Sequence, residues 1–224
     1  PRAYVLFGRG NAAVREIVCS LDPFAYVSHL SAMQYHGLTD RFPTTVFIST
    51  PPLSDWRLQA REKMRKDLGE RFDDYIASGL PRLTRLNVKK IAGTVVQIHE
   101  RSQLGAFKRS RESPLRVATI GRVFLDMVRE PSLCGGMQHV VAVFKAEASR
   151  HLTLIVDEVE RHGAPIDKVR AGFLLAEVCH LEDRRIDAWV QYAQRGGSRK
   201  LDPKEEYSSH FSQRWQISIN VPSL

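Results

Sequence analysis

The strongest hydrophobic pattern in the chain follows Asp22. Asp22 can accept hydrogen bonds from free helix amides, and Pro23 suits a first helical position. Gly37 supplies the left-handed residue that commonly ends a helix. We therefore predict a helix beginning at Asp22 and ending at Gly37. Its apolar stripe contains Tyr26, Leu30 and Met33.

A strand is predicted directly after this helix. The segment Thr44 to Thr50 (TTVFIST) is rich in β-branched and aromatic residues, and Pro51 closes it. We expect the preceding helix to pack on this strand, which follows it in sequence. The following segment, Ser54 to Ser78, is rich in helix formers and predicts a helix that Gly69 interrupts. Strands are predicted again from Leu83 to His99, as a hairpin or a meander separated by Ala92 and Gly93.

The second half of the chain has mainly helical periodicity. Thr119 is a candidate helix cap, and a helix after Gly136 places Met137, Val140, Val141 and Phe144 on one face. Further short helices are predicted around Leu152 to Arg161, Ile166 to His180 and Arg184 to Arg195. Near the end, Trp215, Ile217 and Ile219 alternate with polar residues, which predicts a half-buried strand that joins the earlier ones. The predicted fold class is α+β, a mixed sheet with a mainly helical second half.

The charge balance favours an acidic partner. Lys and Arg total 33 against 25 Asp and Glu, a formal net charge of +8 in 224 residues. A basic domain favours nucleic acid or another acidic molecule, although charge alone identifies neither. No apolar run approaches the roughly 20 residues that span a bilayer, and no signal segment opens the chain. We therefore expect a cytoplasmic protein without a membrane partner. Three cysteines far apart, Cys19, Cys134 and Cys179, are expected to be buried free thiols.

Two basic clusters are candidates for a partner or nucleic-acid surface. The first is the densest of the chain and contains Arg57, Arg61, Lys63, Arg65, Lys66 and Arg71. The second contains Lys89, Lys90, Lys108, Arg109, Arg111 and Arg116. Because acidic residues are interleaved in the first cluster, a solvated helix face is the alternative interpretation.

A polar pattern on the first predicted helix is the other candidate partner surface. It consists of Ser28, His29, Tyr35 and His36. Seven helical residues place the two histidines about 10.5 Å apart along the axis, too far to share one metal ion. Hydrogen-bonded packing and a partner-facing surface are both open as roles for these side chains.

The sequence shows no recognisable arrangement of catalytic residues. The adjacent acidic pairs point in different helical directions, and neither a nucleophile elbow nor a glycine-rich phosphate loop is present. Arg122 and Asp126 are one helical turn apart, and we expect them to pair as a structural clamp between their helix and the sheet. No catalytic residue, cofactor site or metal site is predicted.

Three stretches resemble one protein family. They are YVSHLSAMQYHGL from Tyr26 to Leu38, VATIGRVFLDMVREPSLCGG from Val117 to Gly136, and RWQISINVP from Arg214 to Pro222. In this order they resemble the AbiEi-type antitoxins of bacterial toxin–antitoxin pairs, which are also transcriptional repressors. Gly37, Arg122, Asp126 and Trp215 lie within these stretches and are expected to be structural. The motif of a nucleotidyltransferase toxin is absent, so the chain is similar to the antitoxin and not to the toxin.

The resemblance implies partners and a domain plan. Family members carry an N-terminal winged helix for operator DNA, and residues 1–21 are expected to be its remnant, a wing strand and a connecting helix. Residues 22–224 are then the α+β antitoxin body, which counteracts a cognate nucleotidyltransferase toxin directly or indirectly. The helices that would enter a major groove are expected to be missing from this chain. The alternative function is a nucleic-acid-binding module without sequence preference, and an enzyme ranks third.

Overall fold

The computed structural model describes residues 12–102, 107–110, 113–194, 199–222 and 224. They form two compact units. The first unit holds the described residues up to Val27 together with those of Thr44–Val117, and the second holds Ser28–Pro43 and the described residues of Ala118–Leu224. The predicted wing strand lies outside the described residues, so the division at residues 21 and 22 stays a prediction.

A mixed six-stranded sheet is the frame of the first unit. Its strands are β1 (Tyr26–Val27), β2 (Thr45–Thr50), β3 (Lys90–Ile91), β4 (Thr94–Glu100), β5 (Phe107–Arg109) and β6 (Arg116–Ala118). The spatial order is β3-β4-β2-β1-β6-β5, with β2 parallel to β4 and antiparallel to β1. The predicted strand after Pro43 is therefore confirmed as the central β2. The turn at Ala92 and Gly93 is confirmed, since both have positive φ between β3 and β4. The strand predicted from Leu83 is present only at Lys90–Ile91, so its first part is wrong.

Helices of the first unit follow the sequence signals closely. They are α1 (Val14–Leu21), α3 (Leu53–Leu68) and α4 (Phe72–Ala77), with a 3-10 turn at Gly69–Arg71. Gly69 has φ +56, a conformation that a residue with a side chain adopts only with strain, so the predicted interruption is confirmed. The core of this unit contains Val18, Ala25, Ile48, Leu86 and Val96.

The predicted helix start at Asp22 is wrong. The chain makes a turn after Asp22 and then forms β1, and the helix α2 (His29–Tyr35) begins only after Ser28. Asp22 instead lies fully buried and accepts hydrogen bonds from segments distant in sequence. The predicted end is confirmed, because Gly37 follows α2 with φ +68.

The second unit is mainly helical. Besides α2 it contains α5 (Ile120–Arg129), α6 (Met137–His162), α7 (Pro165–Gly172) and α8 (Arg184–Trp189), and a π-helical segment, Phe173–Val178, continues α7. Thr119 accepts a hydrogen bond from the Arg122 amide, which confirms it as the cap of α5. The separate helix predicted near Leu152 is wrong, because α6 runs without a break through that region. No helix in the described residues is long and apolar enough to cross a membrane.

Helix α5 is the centre of the second unit. Every residue from Gly121 to Val128 is buried, although periodicity predicted one apolar face. Phe124 packs edge-to-face on Phe144 of α6, with ring centroids 4.9 Å apart. A Cβ on Gly121 would lie 2.2 Å from the Leu154 carbonyl oxygen, so only glycine permits the approach of α5 to α6. In the same unit, α2 packs on α5.

The closing strand does not join the earlier strands, which corrects that prediction. In the second unit β8 (Ile217–Ser218) pairs only with the short β7 (Phe211–Ser212) among the described strands, as a two-stranded sheet. Trp215 just before it is fully buried. Its six-membered ring lies where a Cβ on Gly172 would be, so Trp215 packs directly on the end of α7. Trp215 is thus a core residue of the helical unit.

Candidate functional site

The first basic cluster borders a groove within the first unit. The groove lies between α3 and α4, has a volume of about 520 Å³ and is also lined by Arg82 and Leu83. Its lining is apolar at the bottom, where Trp56, Ala60, Met64, Phe72 and Ile76 lie. This volume is within the range of protein sites that hold a ligand or an inserted side-chain cluster.

Two aromatic side chains fix the shape of the groove. Trp56 donates its indole N–H to Asp22 Oδ1 at 2.9 Å and packs edge-to-face on Phe24. Phe72 lies under the Arg65 guanidinium, whose carbon is 5.2 Å from the ring centroid. Both aromatic side chains are only 5% exposed. They therefore form a rigid floor, and their ring faces are not free for stacking.

The rim of the groove is positive. Three arginines, Arg57, Arg61 and Arg82, line it together with one aspartate, Asp73, and all four are exposed. Across the described part of the chain, none of these arginines makes an ion pair with a carboxylate. Arg65 and Lys66 are also exposed, whereas Lys63 is paired with Asp67 at 2.7 Å on the same helix. The sequence pattern therefore located the basic face but could not show the groove that it borders.

The second basic cluster is divided by the fold. Lys108 and Arg109 are exposed on β5, and Arg111 lies outside the described residues. Arg116 was predicted to belong to this surface, but it is buried, which corrects the prediction. Its guanidinium donates to the carbonyl oxygens of Cys19, Asp22 and Ala25 at 2.6, 2.5 and 2.8 Å. Arg116 thereby binds the carboxyl end of α1, where the helix dipole favours a positive charge.

Ser28 and His29 lie in the interior of the structure. His29 bonds through Nδ1 to the Ser28 hydroxyl at 2.8 Å and through Nε2 to Glu130 at 3.1 Å. Hydrogen bonds thus link a serine, a histidine and a carboxylate in a row. Ser28, however, is fully buried, so a substrate could not reach it. His29 has φ +50, so its backbone is held in a strained conformation. Of the two roles left open by the sequence, this geometry favours hydrogen-bonded packing.

Tyr35 and His36 lie at the end of α2 and differ in exposure. Tyr35 is 46% exposed and packs edge-to-face on the His36 ring. His36 Nε2 lies 2.6 Å from the Ala118 carbonyl oxygen, which precedes α5. Within the pattern predicted as a partner surface, Tyr35 is therefore the side chain that remains accessible.

The pair of Arg122 and Asp126 clamps helix to helix. Arg122 Nε donates to Asp126 Oδ1 at 3.0 Å, and Arg122 Nη1 lies 3.9 Å from Glu158 of α6. Arg122 and Asp126 are at most 1% exposed, so removing one partner would leave a buried charge. Within the second unit the pair links α5 to α6, and the predicted clamp between α5 and the sheet stays a prediction.

A polar cluster that the sequence did not indicate lies beside α6. Thr39 Oγ1 and His139 Nε2 are 2.9 Å apart, and Arg41 donates to the Gly135 carbonyl oxygen at 2.8 Å. Burial, and then the positive charge of Arg41, lower the pKa of His139. Thr39 and Arg41 are about a hundred positions from His139 in sequence, so no local pattern joins them.

Cysteines and metal ligands add no further site. Burial raises the pKa of the Cys134 thiol well above its usual value and that of Cys179 to about 11. Cys19 is also buried, and its pKa is raised by that burial. Cys179 is only half-buried, which corrects the prediction that all three thiols are buried. Within the described ranges, no group of three or more His, Cys, Asp or Glu side chains could hold a metal ion.

Comparison with known proteins assigns no family. Neither a family model, nor a curated protein, nor a solved structure matches this chain.

Proposed function

We propose that this chain is the body of a bacterial antitoxin of the AbiEi type, a cytoplasmic, non-enzymatic protein that counteracts a nucleotidyltransferase toxin. The observation that carries the proposal is the contact between two of the three stretches that resemble this family. His29 of the first stretch bonds to Glu130 of the second, and His36 bonds to the Ala118 carbonyl oxygen. The helices α2 and α5, one from each stretch, therefore pack against each other, as parts of a shared scaffold would.

The burial of these polar side chains supports a structural role for them and not a catalytic one. Four polar side chains of these stretches are buried and form hydrogen bonds within the protein: Ser28, His29, Arg122 and Asp126. Such groups orient a scaffold and do not meet a substrate. In the family, repression uses an N-terminal winged helix on operator DNA, and we propose the same for the full-length protein.

Co-expression tests the antitoxin proposal. Cells that make the cognate nucleotidyltransferase toxin should recover growth when the 224-residue chain is co-expressed. The matched control is the toxin with an empty vector, and protein in the soluble fraction must be measured in both cultures. Persistent growth arrest in the presence of abundant soluble chain would refute the proposal. Affinity capture of the toxin by the tagged chain then separates direct from indirect antagonism.

A second candidate function is nucleic-acid binding without sequence preference. The observation that favours it is the set of exposed cations Arg57, Arg61, Arg65 and Lys66 on one helix, with Lys108 and Arg109 on β5. Titration of a single-stranded and a double-stranded oligonucleotide across salt concentrations tests it. Binding with a steep negative slope of log affinity against log salt is expected for phosphate contacts. No binding at low salt would exclude this function.

A further inference from the structure

Apolar surface and positive charge coincide at the groove between α3 and α4. Trp56, Met64 and Phe72 form its floor, while Arg57, Arg61 and Arg82 stand at its rim. Surfaces of this kind, apolar in the middle and charged at the edge, are typical of sites that bind another protein segment.

The charge of the rim restricts the occupant. Three arginines against the single carboxylate of Asp73 leave a net positive lining. Arginine guanidinium groups bind carboxylates in a bidentate manner, which gives both affinity and orientation. The complementary ligand therefore carries carboxylates at its edges and aliphatic side chains at its centre.

The floor argues against a nucleic acid in the groove. Single-stranded nucleic acids bind by stacking bases on exposed aromatic rings, but Trp56 and Phe72 are each only 5% exposed. Aliphatic side chains need no exposed ring face, and a volume of about 520 Å³ accommodates several of them.

We propose that this groove docks an acidic amphipathic helical segment of a partner protein. Leucine-type side chains spaced three and four residues apart would enter the groove over Met64 and Ala60. Glutamate or aspartate side chains beside them would pair with Arg57, Arg61 and Arg82. An occupant of this chemistry would bind whether or not the chain acts as an antitoxin.

The probe is a fluorescein-labelled peptide of about 16 residues with leucines at helical spacing and glutamates between them. It is titrated against the full chain by fluorescence anisotropy. The charge-reversed protein R57E/R61E should bind the peptide at least about tenfold more weakly, because attractions at the rim become repulsions. The matched control K108E/R109E makes the same charge change at exposed positions of β5 in the same unit and should bind as the parent does.

Two further measurements fix the location of binding. The indole N–H resonance of Trp56, assigned with Trp56→Phe, should shift on addition of the peptide, while those of Trp189 and Trp215 should not. A peptide of the same composition with scrambled leucine spacing should bind weakly. Equal loss of binding in the two charge-reversed proteins would overturn the proposal, as would no binding by the parent. Binding of a single-stranded oligonucleotide at Arg57 and Arg61 in place of the peptide would also overturn it and favour a nucleic-acid surface.

Discussion

Replacement of Asp22 is the sharpest test of the first unit. This buried carboxylate accepts hydrogen bonds from the Phe24 amide at 3.0 Å, the Trp56 indole at 2.9 Å and the Leu86 amide at 3.1 Å. The Thr50 hydroxyl donates to it at 3.4 Å. One side chain thus joins the turn before β1, the end of β2, the start of α3 and the segment that precedes β3.

The magnitude follows from the donors that would lose their acceptor. In Asp22→Ala, the Trp56 indole and the Leu86 amide are left buried, and each unsatisfied donor costs about 1–3 kcal/mol. The Thr50 hydroxyl can rotate to another acceptor, so it adds little. We therefore expect a loss of about 4 kcal/mol, a large part of the roughly 5–15 kcal/mol that stabilises a domain. Asp22→Asn keeps one oxygen but turns an amide N–H toward a donor, so its loss should be smaller, about 2 kcal/mol.

Hydrogen exchange measures this loss in the first unit itself. The slowest amides of β2 and β4 report its opening free energy without requiring two-state unfolding of the whole chain. Asp74→Ala is the matched control, because this aspartate is exposed in the same unit and its removal should cost less than about 1 kcal/mol. If Asp22→Ala changes the opening free energy no more than Asp74→Ala does, the buried carboxylate does not hold these four segments together and the reasoning is refuted.

Three further predictions concern the second unit. Gly172→Ala should lower the melting temperature by overpacking against the Trp215 ring, at a cost of about 1–3 kcal/mol. Trp215→Phe should relieve part of this cost, and additive effects of the two substitutions in a double-mutant cycle would contradict the contact. Because the folded state lowers the pKa of His139 beneath its usual 6.5, the unfolded chain binds more protons there, so stability should fall as pH drops through about 6.5. His139→Gln should flatten that slope in urea titrations at several pH values, while Arg41→Gln should raise the pKa of His139 in NMR titrations. The pKa of Cys179, raised from 9.0 to about 11, lowers its thiolate fraction about a hundredfold. Ellman's reagent should therefore react far more slowly with Cys179 in the native chain than in urea, and equal rates would contradict its partial burial.

Local signals predicted most elements of the fold correctly. The β-branched run of β2, the Thr119 cap of α5, and Gly37 and Gly69 at helix ends each act within a few residues of their own position. Their effects depend on backbone conformation and local hydrogen bonds, which the sequence specifies directly. The basic segment of α3 was found for the same reason, since its cations are close together in sequence.

Distant contacts decided what local signals could not. Asp22 has the chemistry of a helix cap, but donors from Trp56 and Leu86 give it a different role. Arg116 has the chemistry of a surface cation, but the carbonyl groups at the end of α1 hold it inside. The groove exists only because α4 folds back beside α3 after Gly69. The sequence by itself determined the elements and their charge, while the tertiary structure decided which polar groups are buried, because burial and hydrogen-bond partners come from segments far along the chain.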